Sequence, residues 1–189
     1  MSLINDHLNL VPERDLYFLA NASAVRQSHH FNLQFDQTID DALGVDRGTA
    51  IRTRAAHEAS YRLLRALVVA APSSLPRARL DQAARIFSDM GHGKLSLDVS
   101  AQGGWATASA LHYGIGWKRK YGRKLTRRYP ADGFAAGYIA AAVEVAYDLA
   151  PGDLSCHQIG CLAMGADRAE FMVRRTGGRF DTLGLERDA

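Results

Sequence analysis

The sequence predicts an α+β domain, an antiparallel sheet with helices packed on one of its faces. Three observations carry this. Apolar residues recur at helical spacing over residues 47–70 and again over 79–90. The period then drops to two through "KLSLDVS" and "WATASALHY". Last, the glycine- and alanine-rich "GFAAGYIAAAVEVAYDLA" precedes an alternating hairpin at the end of the chain. The 189 residues, 47% of them hydrophobic, suffice for one domain with a real core. The expected organisation is a single domain over 1–189, with N-terminal strands as an appendage at 1–46, a core at 47–175 and a tail at 176–189.

Taken in order, "DLYFLA" and "FNLQF" read as short strands, the second because Phe31, Leu33 and Phe35 alternate. His29 and His30 then stand at a strand start. Thr38 caps a short helical turn that Gly44 ends. In the first long helix Ile51, Ala55, Ala59, Leu63, Leu67 and Ala70 form the inward stripe. Arg54, Glu58 and Arg62 ladder its outer face. "APSSLP" breaks this helix. A second carries Leu80, Ala83, Phe87 and Met90 inward and stops at Gly91. Leu95, Leu97 and Val99 share one face of the next strand. Ala106, Ala108, Ala110 and His112 share one face of its return partner. That alanine face invites close packing of the glycine-rich helix around Gly137. The final hairpin runs 154–163 and 168–175 and turns at "MGAD".

The longest apolar run, Phe134 to Val143, is half of the ~20 residues that span a bilayer. The N-terminus lacks a basic start and an apolar signal core, so the expected location is the cytoplasm, with both cysteines reduced. Net charge is +3, but Trp117 to Arg128 holds seven basic residues and no acid, leaving 16 basic against 20 acidic residues elsewhere. Trp117 and Tyr121 stand at helical spacing within it. Lys118, Arg119 and Arg123 are the candidate anion-binding residues. The sequence carries no dinucleotide fingerprint, Walker sequence or nucleophile elbow. No repeated basic–aromatic pattern occurs either, so nucleic acid is disfavoured as a partner.

Both cysteines lie in "CHQIGCLAMGADRAEFMV". Their odd separation places Cys161 toward the interior and Cys156 on the opposite face, unless Gly160 introduces a bulge. His157 shares the face of Cys161 but lies about 13 Å away along a strand, too far for a direct pair. The spacing matches no zinc finger or ribbon, so Cys156, Cys161 and His157 are weak metal candidates and zinc is disfavoured. Cys161 is the candidate nucleophile if its partners come from elsewhere in the chain. Trp105, His112, Trp117 and Tyr138 are the residues expected to line an apolar pocket between sheet and helices. Glu144, in an otherwise apolar helix, either polarises a buried ligand or points to solvent.

The last third of the chain, within roughly residues 80 to 175, resembles the 4-vinyl-reductase domain family. The resemblance rests on Gly104–Trp105, on "DGFAAGYIAAAVEVAYD" with Gly133 and Gly137, and on "CLAMGADRAEFMV" with Cys161, Ala163, Gly165 and Phe171. It implies a 4-vinyl-reductase/TRAPP-like fold, shared with subunits of vesicle-tethering complexes and found in bacterial hydrocarbon sensors. Several members hold zinc with cysteines around this hairpin. Here the second hairpin cysteine is Ala169, and the often cysteine-bearing stretch before the helix is "YPADG". The C-terminal hairpin and helix are also similar to a thiazoline-ring hydrolase family.

The sequence thus points to a cytoplasmic, dimeric, sensor-type domain for a small hydrophobic ligand. One alternative is a small hydrolase or reductase of a hydrophobic or heterocyclic substrate, using Cys161. The other is an adaptor that holds nucleic acid or anionic membrane through Lys118–Arg128.

Overall fold

The computed structural model describes residues 8–11, 16–19, 22–24, 28–68, 75–122 and 126–176, with side chains for Leu19, Ser28 and from residue 30 onward. Strands β1 (Leu8–Val11), β2 (Leu16–Leu19) and β3 (Ala22–Ala24) form an antiparallel meander. Leu19 from it reaches the main core.

Helix α1 (His29–Leu43) occupies the segment whose alternation predicts a strand. Three alternating apolar residues fit either period, and local hydrogen bonds decide the matter. The Ser28 hydroxyl accepts the Phe31 N–H at 3.2 Å as an N-cap. Phe31 and Phe35 then stack one turn apart on the exposed face, ring centres 6.0 Å apart, while Leu33 is buried. Thr38 lies inside this helix, and its hydroxyl donates to Gln34 O. Gly44 ends the helix as expected.

Helix α2 (Val45–Val68) buries Arg52, Ala56, His57, Ser60, Leu64 and Leu67, so that of the expected inward residues Leu67 is buried and Leu63 half-buried, while the first half of the helix turns another face inward. Ala70 lies outside the described residues. Ile51, Ala55 and Ala59 are exposed. The rotation has an electrostatic cause. Arg52 pairs with Asp40 at 2.7 Å and lies 3.5 Å from Asp36, and Arg127 reaches Asp40 at 2.8 Å. Such a cluster stays buried only when its charges satisfy one another. It ties α1, α2 and the segment of chain at 127 together.

Helix α3 (Pro76–Asp89) buries Leu80, Ala83, Ile86 and Phe87. The hairpin β4 (Ser96–Ser100) and β5 (Gly103–Ala108) follows, then α4 (His112–Tyr121) and α5 (Gly133–Ala146). β5 stops at Ala108, so His112 opens a helix rather than ending a strand. β6 (Leu154–Gly160), a 3-10 turn (Leu162–Met164) and β7 (Ala169–Arg175) complete an antiparallel sheet of order β4-β5-β7-β6. Thirteen of the fourteen α5 residues are buried. This helix lies between the sheet and α2. Its close approach is to α2 and not to the alanine strand, for a Cβ on Gly137 would sit 2.2 Å from Thr53 O. Among the described residues no helix is long and apolar enough to cross a membrane.

Candidate functional site

Where α3 ends, α4 begins and α5 begins, aromatic and imidazole rings converge. Phe87 is fixed by the buried face of α3. His92 follows on the turn, with the neighbouring glycines Gly91 and Gly93 at φ 84° and 123°. A bridge between Gly93 and Leu111, with His112 N–H donating to His92 O at 3.0 Å, joins this turn to the start of α4. The His92 ring lies 4.3 Å from Phe134, 5.2 Å from Phe87 and 5.7 Å from His112, meeting the last edge-on. Asn32 Nδ2 stands 3.3 Å from His112 Nε2. Tyr138 backs Phe87 at 4.8 Å and donates its hydroxyl to Ala83 O. Phe87, His92, Leu111, His112 and Phe134 bound a half-open nook that is nowhere wide enough for a water molecule. Burial, with the His112 ring as second cause, lowers the His92 pKa to about 4. The ring is therefore neutral at physiological pH and offers one hydrogen-bond donor and one acceptor.

Asp132 forms the polar end of this nook. One of its oxygens accepts Gly114 N–H at 3.0 Å, and the other accepts Gln158 Nε2 at 2.9 Å. Its own N–H donates to Gln158 Oε1, and Cys161 Sγ lies 3.7 Å from Oδ2. Burial raises the Asp132 pKa. Burial, then the nearby Asp132, raises that of Cys161. A nucleophilic thiol needs the opposite environment. The donor set does not fit zinc either. Both carboxylate oxygens of Asp132 are already engaged by N–H donors, Ala169 supplies a buried methyl, and Gln158 brings an amide. Among the described residues no three His, Cys, Asp or Glu side chains converge as metal ligands.

A second cavity, open on one side and about 500 Å³ in volume, runs between α2 and β6. Asp46, Thr49, Thr53 and His57 form one wall. Gly133, Ala136, Gly137 and Ala140 of α5 form its floor, and Leu154 to Gln158 its far wall. His57 leaves this wall to meet Glu144, Nε2 to Oε2 at 2.6 Å. Glu144 Oε1 accepts Gly152 N–H at 2.9 Å and Leu154 N–H at 3.0 Å. The Glu144 carboxylate thus clamps the start of β6 and borders neither cavity.

The remaining sequence candidates scatter. Trp105 is 51% exposed on the sheet face away from the helices, and His157 is exposed too. Cys156 is buried in the main core, while Cys161 is buried in a separate cluster with Ala131 and Ala163. The expectation of opposite faces fails because a bulge between Gln158 and Gly160 shifts the register by one residue. Trp117 packs on the Cys161 cluster, with the Arg127 guanidinium 4.7 Å over its ring. Lys118 and Arg119 are exposed at the end of α4, and Arg123 lies outside the described residues. His92, Asp132 and Gln158 escape a motif search because each acts through partners distant in the chain. The only local signal is a histidine between two glycines.

No family model matches the chain, and no curated protein does. Its fold does match solved structures. The phenol-responsive sensory domain of the transcription activator PoxR, determined with phenol, superposes with a TM-score of 0.73 at 11% identity, over 95% of this chain and 90% of that one. A vinyl-4-reductase family protein from Methanocaldococcus jannaschii gives a TM-score of 0.53 at 16% identity, over 80% and 83%. The chain has the 4-vinyl-reductase-like α+β fold that the hairpin and glycine-bracketed helix lead one to expect.

Proposed function

We propose that this domain binds a small aromatic molecule with a hydroxyl or similar polar group, in the nook between His92 and His112. It acts as a sensor-type module rather than an enzyme. The observation that carries the reading is the pairing of two imidazoles, one held neutral, inside walls of Phe87, Leu111 and Phe134. Apolar walls with a few convergent polar groups are what a small-molecule site requires. The fold it shares with a phenol-responsive sensory domain supports this choice of ligand. A ligand enters by displacing rings, since the nook has no room even for a water molecule. Two buried, unpaired thiols suit a reducing cytoplasm. A homodimer is part of the same reading, the stacked, exposed Phe31 and Phe35 offering a surface for a second copy.

The test is a thermal shift with phenol as probe. A ligand at 100 times its Kd adds about 2.7 kcal/mol, read as a rise of several degrees in Tm. His92→Phe and His112→Phe keep the apolar volume and should lose most of the shift. An equal shift in both variants places phenol elsewhere, and no shift in wild type removes the proposal.

A further inference from the structure

We infer that the groove along β6 is a second binding site, for an extended peptide that joins the sheet as a fifth strand. Five consecutive β6 residues, Leu154 to Gln158, border the groove. Side chains of a strand alternate between faces, so a cavity over one face meets every second residue. Contact with all five places the cavity against the outer edge of the strand, where its backbone is presented. Among the described residues β6 is a terminal strand of the sheet. Its Leu154 N–H goes to Glu144 and not to β7. The alternation of an antiparallel ladder then turns the Cys156 N–H and C=O toward that same open side.

The dimensions agree. Five extended residues measure about 17 Å, and the α2 wall from Asp46 to His57 rises about 17 Å. Between them the α5 floor carries nothing larger than a methyl group, leaving depth for alternate side chains of a guest. Polarity sets the direction. Gln158 bonds Asp132 at the start of α5, and Leu154 bonds Glu144 near its end, so β6 runs antiparallel to α5. Gly133 lies beside Thr49 and Thr53, and Gly137 beside Thr53 and His57, so Asp46 stands at the Gln158 end. A guest antiparallel to β6 enters there with its N-terminus. Asp46 meets the amine or a basic first residue, while Arg54, further along, is already paired with Glu58. The occupant is therefore a short extended peptide, apolar at alternate positions and basic at its start, bound by strand addition. The groove and the aromatic nook share no lining residue.

The experiment uses the full chain and a C-terminally fluorescein-labelled peptide, Lys-Val-Thr-Val-Thr-Val, read by anisotropy. Saturable binding with a Kd below about 1 mM is expected. A proline at the fourth position removes a backbone N–H and should weaken binding at least tenfold. A glutamate in place of the leading lysine should weaken it severalfold, a difference that shrinks in Asp46→Asn. Ala50→Trp fills the groove from its partly exposed α2 wall and should abolish binding with Tm retained. Amide exchange at Cys156 should slow on binding, and phenol should leave the peptide affinity unchanged, so this site and the nook succeed or fail separately. Absence of saturable binding, or binding that tolerates both the proline and Ala50→Trp, overturns the inference.

Discussion

Replacing Gly137 by alanine sets two physical effects against each other. In a helix interior the exchange ordinarily stabilises by about 1 kcal/mol. Here the new Cβ would lie 2.2 Å from Thr53 O, 2.7 Å from His57 N and 2.9 Å from Ala56 Cβ. Two of these are backbone atoms of α2 and have no rotamer in which to escape. Ordinary contact needs at least 3.4 Å, so α2 must retreat by roughly 1 Å along a seam that also holds the His57–Glu144 bond. Overpacking of this kind costs about 1–3 kcal/mol, and rigid neighbours put it at the upper end or beyond. The net expectation is a loss of about 2 kcal/mol, or a Tm lower by about 4–8 °C for a chain of this size. Gly133→Ala is the control one turn earlier. Its Cβ meets the rotatable Thr53 hydroxyl at 3.2 Å and Thr49 O at 3.5 Å. That variant should melt near wild type. Circular-dichroism melts of the three proteins decide the matter. A Gly137→Ala protein melting at or above wild type would refute the close helix–helix seam.

Glu144→Ala strands two backbone N–H groups and removes the His57–Glu144 bond, and urea denaturation should show a loss of about 3–5 kcal/mol. Two half-buried groups give opposite pH slopes. The His92 pKa falls from 6.5 to about 4 on folding, so its contribution is present above pH 6.5 and is lost as pH falls through 4, by at most about 3 kcal/mol. The Asp36 pKa rises from 3.8 to about 6, mainly through burial, so stability falls as pH rises through that window. Melts against pH should lose the acid slope in His92→Phe and the opposite one in Asp36→Asn, and unchanged slopes would count against both assignments. Burial raises the pKa of Cys156 and Cys161, so iodoacetamide at pH 7 should label neither quickly until denaturant is added. Rapid native labelling of Cys161 would favour a reactive thiol. Extensive dialysis against a chelator should leave Tm unchanged, because the Asp132 carboxylate is already bound by N–H donors.

The sheet, the helix order and the C-terminal hairpin were readable because their apolar periods are long and bounded by turn residues. The α1 segment was not, since Phe31, Leu33 and Phe35 fit either period and the Ser28 cap decides. The buried face in the first half of α2 was hidden because charge defines it there, and Arg127, which completes the cluster with Asp36 and Asp40, comes from far along the chain. His112 was singled out as a polar ring closing the alanine face of a strand, but it opens α4, beyond the end of β5. His92 was not, for its pairing with Phe134 and His112 depends on the turn after α3 and the bridge to Leu111. Cys156 was misplaced by the single bulged residue before Gly160. Only the possibility of that bulge could be seen in the sequence.

Helix α5 bears on how the chain comes off the ribosome. It exposes almost nothing in the finished fold, with α2 on one side and β6 and β7 on the other. The α2 side is available early, since α2 is complete at Val68, well before α5 is made. The sheet side is missing until residue 175 has emerged. For roughly thirty residues of synthesis, or a few seconds at about 5–20 residues per second, an apolar helix covers only half of its surface. Domains that close this late show their greasiest element to other nascent chains. The yield of soluble protein should therefore depend on translation speed and chaperone supply in the stretch between Ala146 and Arg175, more than on anything earlier in the chain.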